Sequence, residues 1–249
     1  MVNSVYRAAE ILSLLSAGKN RITDIGKELN LSKSTTHRLL KTLENCGFVF
    51  QDPISHQYFL GHLILKLSSN PLTTHQNLIV CAYDEMKRLR ELSGETVTIH
   101  IRIGTQRICL EEMQANQNIR YGVGRGSVSP IYAGSAGKIL LSELKESERN
   151  DLLRNIQLTR VGPHTITGRK TLQQELDKIK KQGYAISSGE TLEGAISISV
   201  PLRGYICPVA LSIFGPKFRL GPRIMDLKDK METGAGRIFK KINRYRLSL

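Results

Sequence analysis

Residues 22–60 restrict the possible folds of this chain more than any other stretch. They predict a short helix, a tight turn, a second helix and then a β-hairpin. Ser32 is a good N-cap for the second helix because its hydroxyl accepts a bond from a first-turn amide, and Gly47 suits the position after its end. We expect Thr23 to cap the first helix. Gly26 lies within that helix, where close packing of two helices leaves room for only a small side chain.

The second helix, from about 33 to 46, has two chemically different sides. At 100° per residue, one side of the helix is mainly apolar and consists of Thr36, Leu39, Leu40 and Leu43. The opposite side is basic and rich in hydroxyl groups, as in helices that enter the major groove of DNA. Arg38 has the geometry to bond guanine O6 and N7, whereas hydroxyls and lysines suit phosphate oxygens. The predicted DNA-binding residues are Lys33, Ser34, Thr35, His37, Arg38, Lys41 and Asn45. The alternative is an ordinary solvated helix face.

A two-stranded ribbon is predicted directly after this helix. Residues 48–51 and 57–60 are rich in aromatic and β-branched side chains, and they flank a turn built on Asp52 and Pro53. A ribbon in this position makes the winged form of the helix-turn-helix. We expect the wing tip, around Ser55 and His56, to lie near the phosphate backbone or the minor groove.

At this point the chain resembles a known family. The runs 4–12, 31–40 and 58–61 are similar to the opening helix, the recognition helix and the segment after the wing in the IclR family of bacterial transcriptional regulators. The similarity continues through nearly the whole chain. The resemblance implies an α+β protein, with a winged helix-turn-helix followed by an effector-binding domain similar to GAF and PAS folds. It also implies dimers, or dimers of dimers, that bind double-stranded operator DNA.

The chain length is sufficient for two modest domains. We expect a DNA-binding domain over 1–69, ending at a Ser-Ser-Asn-Pro break, then a linker helix over 70–92, and an effector-binding and oligomerisation domain over 93–249. In that last domain the patterns predict strands at 96–103, 107–113, 119–123, 184–187, 195–203 and 206–213, and helices at 136–143, 146–154, 172–182 and 222–243.

Three segments carry the resemblance in the second domain, namely 126–141, 183–201 and 210–216, which surround an effector pocket in similar regulators. Small residues where a loop enters a helix let backbone amides approach a ligand, and a helix N-terminus favours an anion. The predicted effector-binding residues are Met113, Gly134, Ser135, Ala136, Ser187, Ser197, Ser212 and Phe214. The alternative is that these glycines and serines only permit tight turns and close strand packing.

The chain departs from the usual pattern of the family in this pocket. An acidic residue is frequent at the Ser187 position and a cysteine at Ser197. A threonine is usual where this chain has Gly134, and a second serine where it has Phe214. These changes argue against simply transferring a glyoxylate- or pyruvate-type ligand. We therefore expect a small organic carboxylate, flatter and partly aromatic.

Bulk properties favour a polyanionic partner. The net charge is +14 and the pI about 9.8. Residues 1–70 contain eight Lys and Arg against five Asp and Glu, a net +3, so +11 lies elsewhere. The four cysteines, at 46, 81, 109 and 207, have no metal-ligand spacing, which favours reduced thiols in a cytoplasmic protein. We expect no signal peptide, membrane span or cofactor.

The chain does not match common catalytic and nucleotide-binding motifs in residue type or spacing. Tyr132 replaces the first glycine of a P-loop, the Gly122–Gly126 run lacks the setting of a dinucleotide fingerprint, and H-E-x-x-H and G-x-S-x-G are absent. We expect Glu190 and Glu193 to be solvated on a loop, and His164 to bond locally in a turn. The sequence thus predicts a ligand-responsive regulator of transcription rather than an enzyme, with repression favoured over activation. Two other classes stay open: a ligand-independent DNA-binding scaffold, and an enzyme fused to a DNA-binding head.

Overall fold

The computed structural model describes residues 2–247, with side chains to residue 244. The chain divides at Thr74 and His75 into two compact units. In the first unit the elements are α1 (Asn3–Ser16), α2 (Ile22–Glu28), α3 (Lys33–Asn45), β1 (Val49–Gln51), β2 (Tyr58–Leu60), α4 (His62–Ser68) and α5 (Pro71–Thr74). Its core consists of apolar side chains from the first three helices and both strands: Ile11, Leu15, Ile25, Leu40, Leu43, Val49 and Tyr58.

Local signals explain how α2 and α3 are set against each other. The Ser32 hydroxyl accepts a 3.2 Å bond from the Thr35 amide and so caps α3, as predicted. A Cβ at Gly26 would lie 3.1 Å from the Thr36 hydroxyl, which explains the need for a small residue there. The prediction for Thr23 is wrong: α2 begins at Ile22, its N-cap is Arg21, two residues before Thr23, and no side chain caps it.

The wing follows α3 as the sequence predicts. Strands β1 and β2 pair antiparallel, and the rings of Phe50 and Phe59 stack at 5.5 Å between centroids. The Asp52 carboxylate accepts bonds from the amides of Ile54, at 3.3 Å, and Ser55, at 3.0 Å. These bonds close the turn locally. The first unit is therefore the predicted winged helix-turn-helix.

The second unit is built on one six-stranded antiparallel sheet with the strand order β5-β4-β3-β8-β7-β6. Its strands are β3 (Thr96–Ile103), β4 (Gln106–Met113), β5 (Val128–Pro130), β6 (Ala185–Ser188), β7 (Ala195–Pro201) and β8 (Val209–Pro216). Its helices are α6 (Gln76–Ser93), α7 (Gly134–Ser142), α8 (Glu146–Asn155), α9 (Arg169–Gln182), α10 (Lys217–Leu220) and α11 (Ile224–Leu247), with a 3-10 turn at Gly221–Arg223. The predicted α+β class is confirmed.

The two faces of this sheet differ in chemistry because strand side chains alternate. Val97, Ile99 and Ile101 of β3 belong to the apolar face, where α6 packs against β3 and β4, and α11 against β7. Thr96, Thr98 and His100 of the same strand belong to the other face, which carries most of the polar groups. Helix α7 packs on that polar face against β6, β7 and β8.

The strand predicted at 119–123 does not form. Instead, the first part of the outer edge of β4, residues 106–108, pairs with β5. Side chains fix the predicted segment instead: Thr96 donates a 2.6 Å bond to the Tyr121 carbonyl oxygen, and Glu112 accepts a 2.9 Å bond from the Gly124 amide. Gly124 also has a φ of +87°, which a regular strand does not accommodate.

The segment expected as a linker helix over 70–92 contains two helices rather than one. Helix α5 ends at Thr74, and α6 begins at Gln76 and packs as part of the second unit against β3, β4 and α11. Within residues 2–247, no helix combines the length and the apolar character needed to cross a bilayer.

Candidate DNA-binding surface and effector site

Helix α3 presents its polar side to solvent. Thr36, Leu40 and Leu43 are buried and hold the helix to the first unit, as the 100° analysis predicts. Six of the seven predicted DNA-binding residues are exposed, and Thr35 is half-buried. The exposed residues are Lys33, Ser34, His37, Arg38, Lys41 and Asn45. One helix face therefore brings these side chains together, with the wing next in sequence.

The exposed residues of α3 differ in how far they are already engaged. Ser34 lies 3.0 Å from the Ser32 hydroxyl, and Lys41 pairs with Glu44 at 2.8 Å. The guanidinium of Arg38 makes no hydrogen bond or ion pair with any of the residues whose side chains are described, 2–244. The N–H donors of the Arg38 guanidinium are thus not used by the described part of the chain. Arginine binds guanine through these donors.

A chain of four serine hydroxyls, buried except for the half-buried Ser197, links α7 to the centre of the sheet. Ser135, in the first turn of α7, donates a 2.7 Å bond to Ser197 and lies 2.7 Å from Ser199, both of β7. Ser199 lies a further 2.7 Å from Ser212 of β8. We call these four residues the serine cluster. Three of the predicted effector residues therefore meet, although they are far apart in the chain.

Ser199 is a member of the cluster that sequence reasoning missed. The signal was present, because Ser197 and Ser199 alternate around Ile198 and so belong to the same face of β7. Ser187 of β6 is buried and pairs in register with Ser197, so it lies beside the cluster on the same face.

The N-terminus of α7 already holds an anion from the chain itself. The Gly134 amide donates a 3.0 Å bond to the Glu190 carboxylate, and Lys138 donates a 2.6 Å bond to its other oxygen. The prediction that Glu190 is solvated is wrong, because its side chain is buried against α7, whereas Glu193 is exposed. Ala136 packs into the apolar core between α7, α8 and α9.

Phe214 and Met113 lie on opposite sides of the sheet. Phe214 pairs in register with Ser197 and is half-buried, and its ring centroid lies 5.7 Å from that of Tyr121. This aromatic pair therefore borders the serine cluster. Met113 pairs with Val97 on the apolar face, so it does not join the other predicted effector residues.

Three further polar residues on the same face as the serine cluster were not predicted. They are Thr98 and His100 of β3, and Arg107 of β4, and we call them the β3–β4 patch. Thr98 pairs in register with Ser212, so the patch adjoins the serine cluster. The Thr98 hydroxyl, both ring nitrogens of His100 and Nε of Arg107 are buried without any hydrogen-bond partner among the described residues. Each buried polar group without a partner costs about 1–3 kcal/mol.

Burial also sets the charge states in this patch. It lowers the pKa of His100 well below its usual value, and the neighbouring Arg107 charge lowers it further. Burial lowers the pKa of Arg107 to about 10, so the guanidinium stays charged at neutral pH. Burial raises the pKa of the Cys109 thiol to about 12. The patch therefore combines a neutral imidazole with one buried positive charge.

Comparison with protein families decides the identity of this fold. The family model described as the bacterial transcriptional regulator IclR C-terminal domain matches residues 71–236, and the IclR helix-turn-helix domain matches residues 4–53. The chain belongs to the IclR family. Its members are regulators of transcription with a helix-turn-helix at the N-terminus, so α3 lies in the helix-turn-helix domain of an IclR regulator and the polar face of the sheet lies in the IclR C-terminal domain.

Individual relatives of this IclR regulator agree with that assignment. The HTH-type transcriptional repressor AllR of Klebsiella pneumoniae is 34% identical over 223 residues, which cover 88% of this chain and 82% of AllR. The crystal structure of Thermotoga maritima IclR is 26% identical with a TM-score of 0.64, covering 97% of this chain and 99% of that one. An IclR homologue from Microbacterium hydrocarbonoxydans, crystallised with 4-hydroxybenzoate, shares the fold at 22% identity and a TM-score of 0.63, covering 97% and 99% of the two chains.

The described part of this IclR regulator contains no candidate metal site. Between residues 2 and 247, no three His, Cys, Asp or Glu side chains come together in a way that would hold a metal ion. The prediction that His164 bonds locally in a turn is wrong, because its ring Nδ1 lies 3.2 Å from the carbonyl oxygen of Ser188, the last residue of β6, which is 24 residues away in the chain.

Proposed function

We propose that this IclR regulator binds operator DNA through α3 and represses transcription until a small organic carboxylate occupies the polar face of its second unit. The observation that carries the DNA-binding part is the exposed side of α3, where Arg38 is unpaired while Thr36, Leu40 and Leu43 anchor the helix. Repression is the sign favoured by the relationship to AllR, which is named a repressor. As a bacterial regulator, the protein acts in the cytoplasm, where the chromosome lies.

The roles of the α3 residues follow from their chemistry. Arg38 reads a guanine edge, while Lys33, Ser34 and Lys41 contact phosphates and set the position of the helix on the duplex. His37 and Asn45, on the same exposed side, are placed to contribute further polar contacts. The wing tip at Ser55 and His56, both exposed, is placed to meet the backbone or the minor groove.

The protein is proposed to act as a homodimer or a dimer of dimers. A dimer places two recognition helices in successive major grooves, about 34–36 Å apart, so the operator is partly palindromic. The second unit provides the oligomerisation surface.

The effector site is proposed to lie around the serine cluster. Four hydroxyls in contact, three of them buried and that of Ser197 half-buried, offer donors and acceptors to a polar ligand. The Phe214–Tyr121 pair beside them suits a flat or aromatic group. The 4-hydroxybenzoate bound by the Microbacterium homologue is a ligand of this class.

The effector signal is proposed to travel through α6. This helix follows the first unit directly in the chain and packs against β3, whose polar residues face the site. For regulation, the effector must bind one arrangement of the dimer better than the other. A coupling of about 1–3 kcal/mol between effector and operator would be typical.

Selection from random duplex DNA tests the proposal because it requires no assumption about the operator sequence. We expect the full-length protein to enrich a partly palindromic site, and a gel-shift titration of that site to weaken when an effector from a panel of small organic and aromatic acids is added. No enrichment at low ionic strength would rule out operator binding. Enrichment of a site whose affinity ignores every acid in the panel would favour the ligand-independent scaffold.

A further inference from the structure

Buried positive charge on the polar face of the sheet is not fully matched by buried negative charge. The ammonium of Lys138 pairs with both Glu190, at 2.6 Å, and Glu175, at 3.2 Å. Arg107 is only 7% exposed, yet its guanidinium forms no ion pair with any of the side chains described, which extend to residue 244. Its bonds are to the main-chain oxygens of Pro130 and Ala133, each 2.7 Å from Nη1. The Glu190 carboxylate acts on this charge only through space. A buried charge without a direct partner is costly, so an anion that reaches Arg107 is favoured.

Arg107 presents an unused edge of the shape that binds carboxylates. Both main-chain bonds use Nη1, and Nε is buried without a partner in the described part of the chain. The Nε–Nη2 edge of a guanidinium offers two parallel N–H groups, which match the two oxygens of a carboxylate. Gly134 lies next to this edge, because a Cβ added there would be 3.6 Å from Nη2. A larger residue at position 134 would therefore crowd this side of Arg107.

Two further unpaired groups follow Arg107 along the same face. His100 pairs in register with Cys109, two residues from Arg107, and neither ring nitrogen has a partner within the described residues. Thr98 lies two residues further along β3 and pairs with Ser212. The unpaired groups therefore form a line that runs from Arg107 to the serine cluster. A neutral imidazole donates one N–H, so His100 adds a donor beside the guanidinium.

We infer that Arg107 and His100 bind the carboxylate of the effector, while Thr98 and the serine cluster bind its opposite, hydroxyl-bearing end. This assignment rests on the proposed effector site and adds the residues that select an acid over a neutral compound. Arg107 holds the two carboxylate oxygens with its Nε–Nη2 edge. The serine cluster, which contains no charge, contributes to affinity without distinguishing an acid from its amide.

Matched pairs of an acid and its primary amide test the assignment on the full-length protein. The probes are benzoate with benzamide, 4-hydroxybenzoate with 4-hydroxybenzamide, and lactate with lactamide, titrated by isothermal calorimetry. Within at least one pair we expect the acid to bind about tenfold or more tightly than the amide, since hydrogen bonds to a charged group are the strong ones. Arg107→Met should bring that ratio to within about twofold. His100→Leu should also lower the acid-to-amide affinity ratio, but by less than Arg107→Met does.

Three further variants separate ligand recognition from folding. Arg107→Lys keeps the charge and should retain part of the preference for the acid, so it tests the assignment if the methionine variant is unfolded. Arg203→Met makes the same change at an arginine that is bonded to Glu143 and lies outside the β3–β4 patch, and it should leave the ratio unchanged. Ser197→Ala should weaken the acid and the amide by the same factor. Far-UV circular dichroism checks that each variant is folded.

The outcomes distinguish this inference from the proposed function. An acid-to-amide ratio near one in the wild type, a ratio that both Arg107 variants leave unchanged, or a failure of every acid to bind would each overturn the role of Arg107. Binding of the selected operator is measured on the same preparations. Operator binding that persists in those cases would leave regulation of transcription standing, whereas its loss would count against the proposed function itself.

Discussion

Lys138 of α7 and Glu190, in the loop after β6, form an ion pair with a separation of 2.6 Å, and both side chains are nearly inaccessible to solvent. The second oxygen of the same carboxylate accepts the Gly134 amide at the start of α7. One buried carboxylate thus joins a loop to both the cap and the second turn of a helix. The serine cluster begins at Ser135, between those two contacts, so the pair positions the first residue of the candidate site.

Removing one member of this pair is expected to destabilise the second unit strongly. Lys138→Met leaves the Glu190 carboxylate buried without its cation, which costs about 3–5 kcal/mol of unfolding free energy. The double variant with Glu190→Gln should lose less than the sum of the two single changes, because neither partner is then left charged. Urea denaturation provides the measurement. The control is Lys180→Met on the exposed side of α9, which should change stability by less than about 0.5 kcal/mol.

Two helical glycines are expected to respond to alanine in opposite directions. A Cβ at Gly137 of α7 would lie 2.7 Å from the Ile131 carbonyl carbon, and closer still to its oxygen, so Gly137→Ala should cost about 3 kcal/mol. At Gly236 of α11 no atom lies within 4 Å of an added Cβ among the described residues, so Gly236→Ala should gain up to about 1 kcal/mol from helix propensity. Thermal unfolding compares the two. A stable Gly137→Ala variant would contradict the close approach of α7 to the segment before it.

Arg38 and Lys33 are expected to affect DNA binding in different ways. Arg38→Ala should cost about 1–3 kcal/mol on the selected operator and relax the base preference at one position of each half-site. Lys33→Ala should weaken binding to all sequences alike and lower the salt slope by about one. Gel-shift titrations at several salt concentrations, on the selected site and on a scrambled duplex, separate the two effects. Unchanged operator affinity in Arg38→Ala would refute its role in base reading.

His100 is expected to make the folded state sensitive to mild acid. Because its folded pKa is lowered, the unfolded chain takes up a proton near the ordinary value of 6.5 while the folded chain does not. Stability is therefore complete above that pH and falls below it, by up to about 1.4 kcal/mol per pH unit. Burial lowers the pKa of His75 in the same direction.

Urea unfolding of the second unit at pH 7.5 and 5.5 measures this dependence. His100→Leu should reduce the loss of stability on acidification without abolishing it, because His75 remains. His37→Gln, on the exposed side of α3, should leave the loss unchanged. An equal loss in the wild type and in His100→Leu would show that His100 does not titrate as its burial requires.

Much of the first unit was predictable because its signals are local. Three of these signals act within one or two turns of α3. They are the cap at Ser32, the left-handed conformation of Gly47, and the helical spacing of Thr36, Leu40 and Leu43. The hairpin follows from the turn at Asp52 in the same way. Such signals also placed β3 and most helices of the second unit within a few residues. They failed at Thr23, which lies inside α2 rather than before it, and at 119–123, a segment held by side-chain bonds instead of a strand ladder.

The polar face of the sheet depended on contacts that the chain order does not encode. Ser135, Ser197 and Ser212 were candidates from the sequence, but their contact arises only when β7, β8 and α7 pack together. The burial of Glu190 depends in the same way on a lysine 52 residues earlier in the chain.

The sequence by itself determined the class of this protein: a winged helix-turn-helix with an exposed basic helix, followed by an α+β domain, since periodicity and capping are properties of neighbouring residues. Only the tertiary structure decided which polar residues are buried together, that Met113 lies on the other face of the sheet, and that Arg107 and His100 keep unpaired nitrogens within the described part of the chain. The reason is that burial and pairing depend on distances between residues remote in sequence, and those distances exist only after the sheet and α7 have packed.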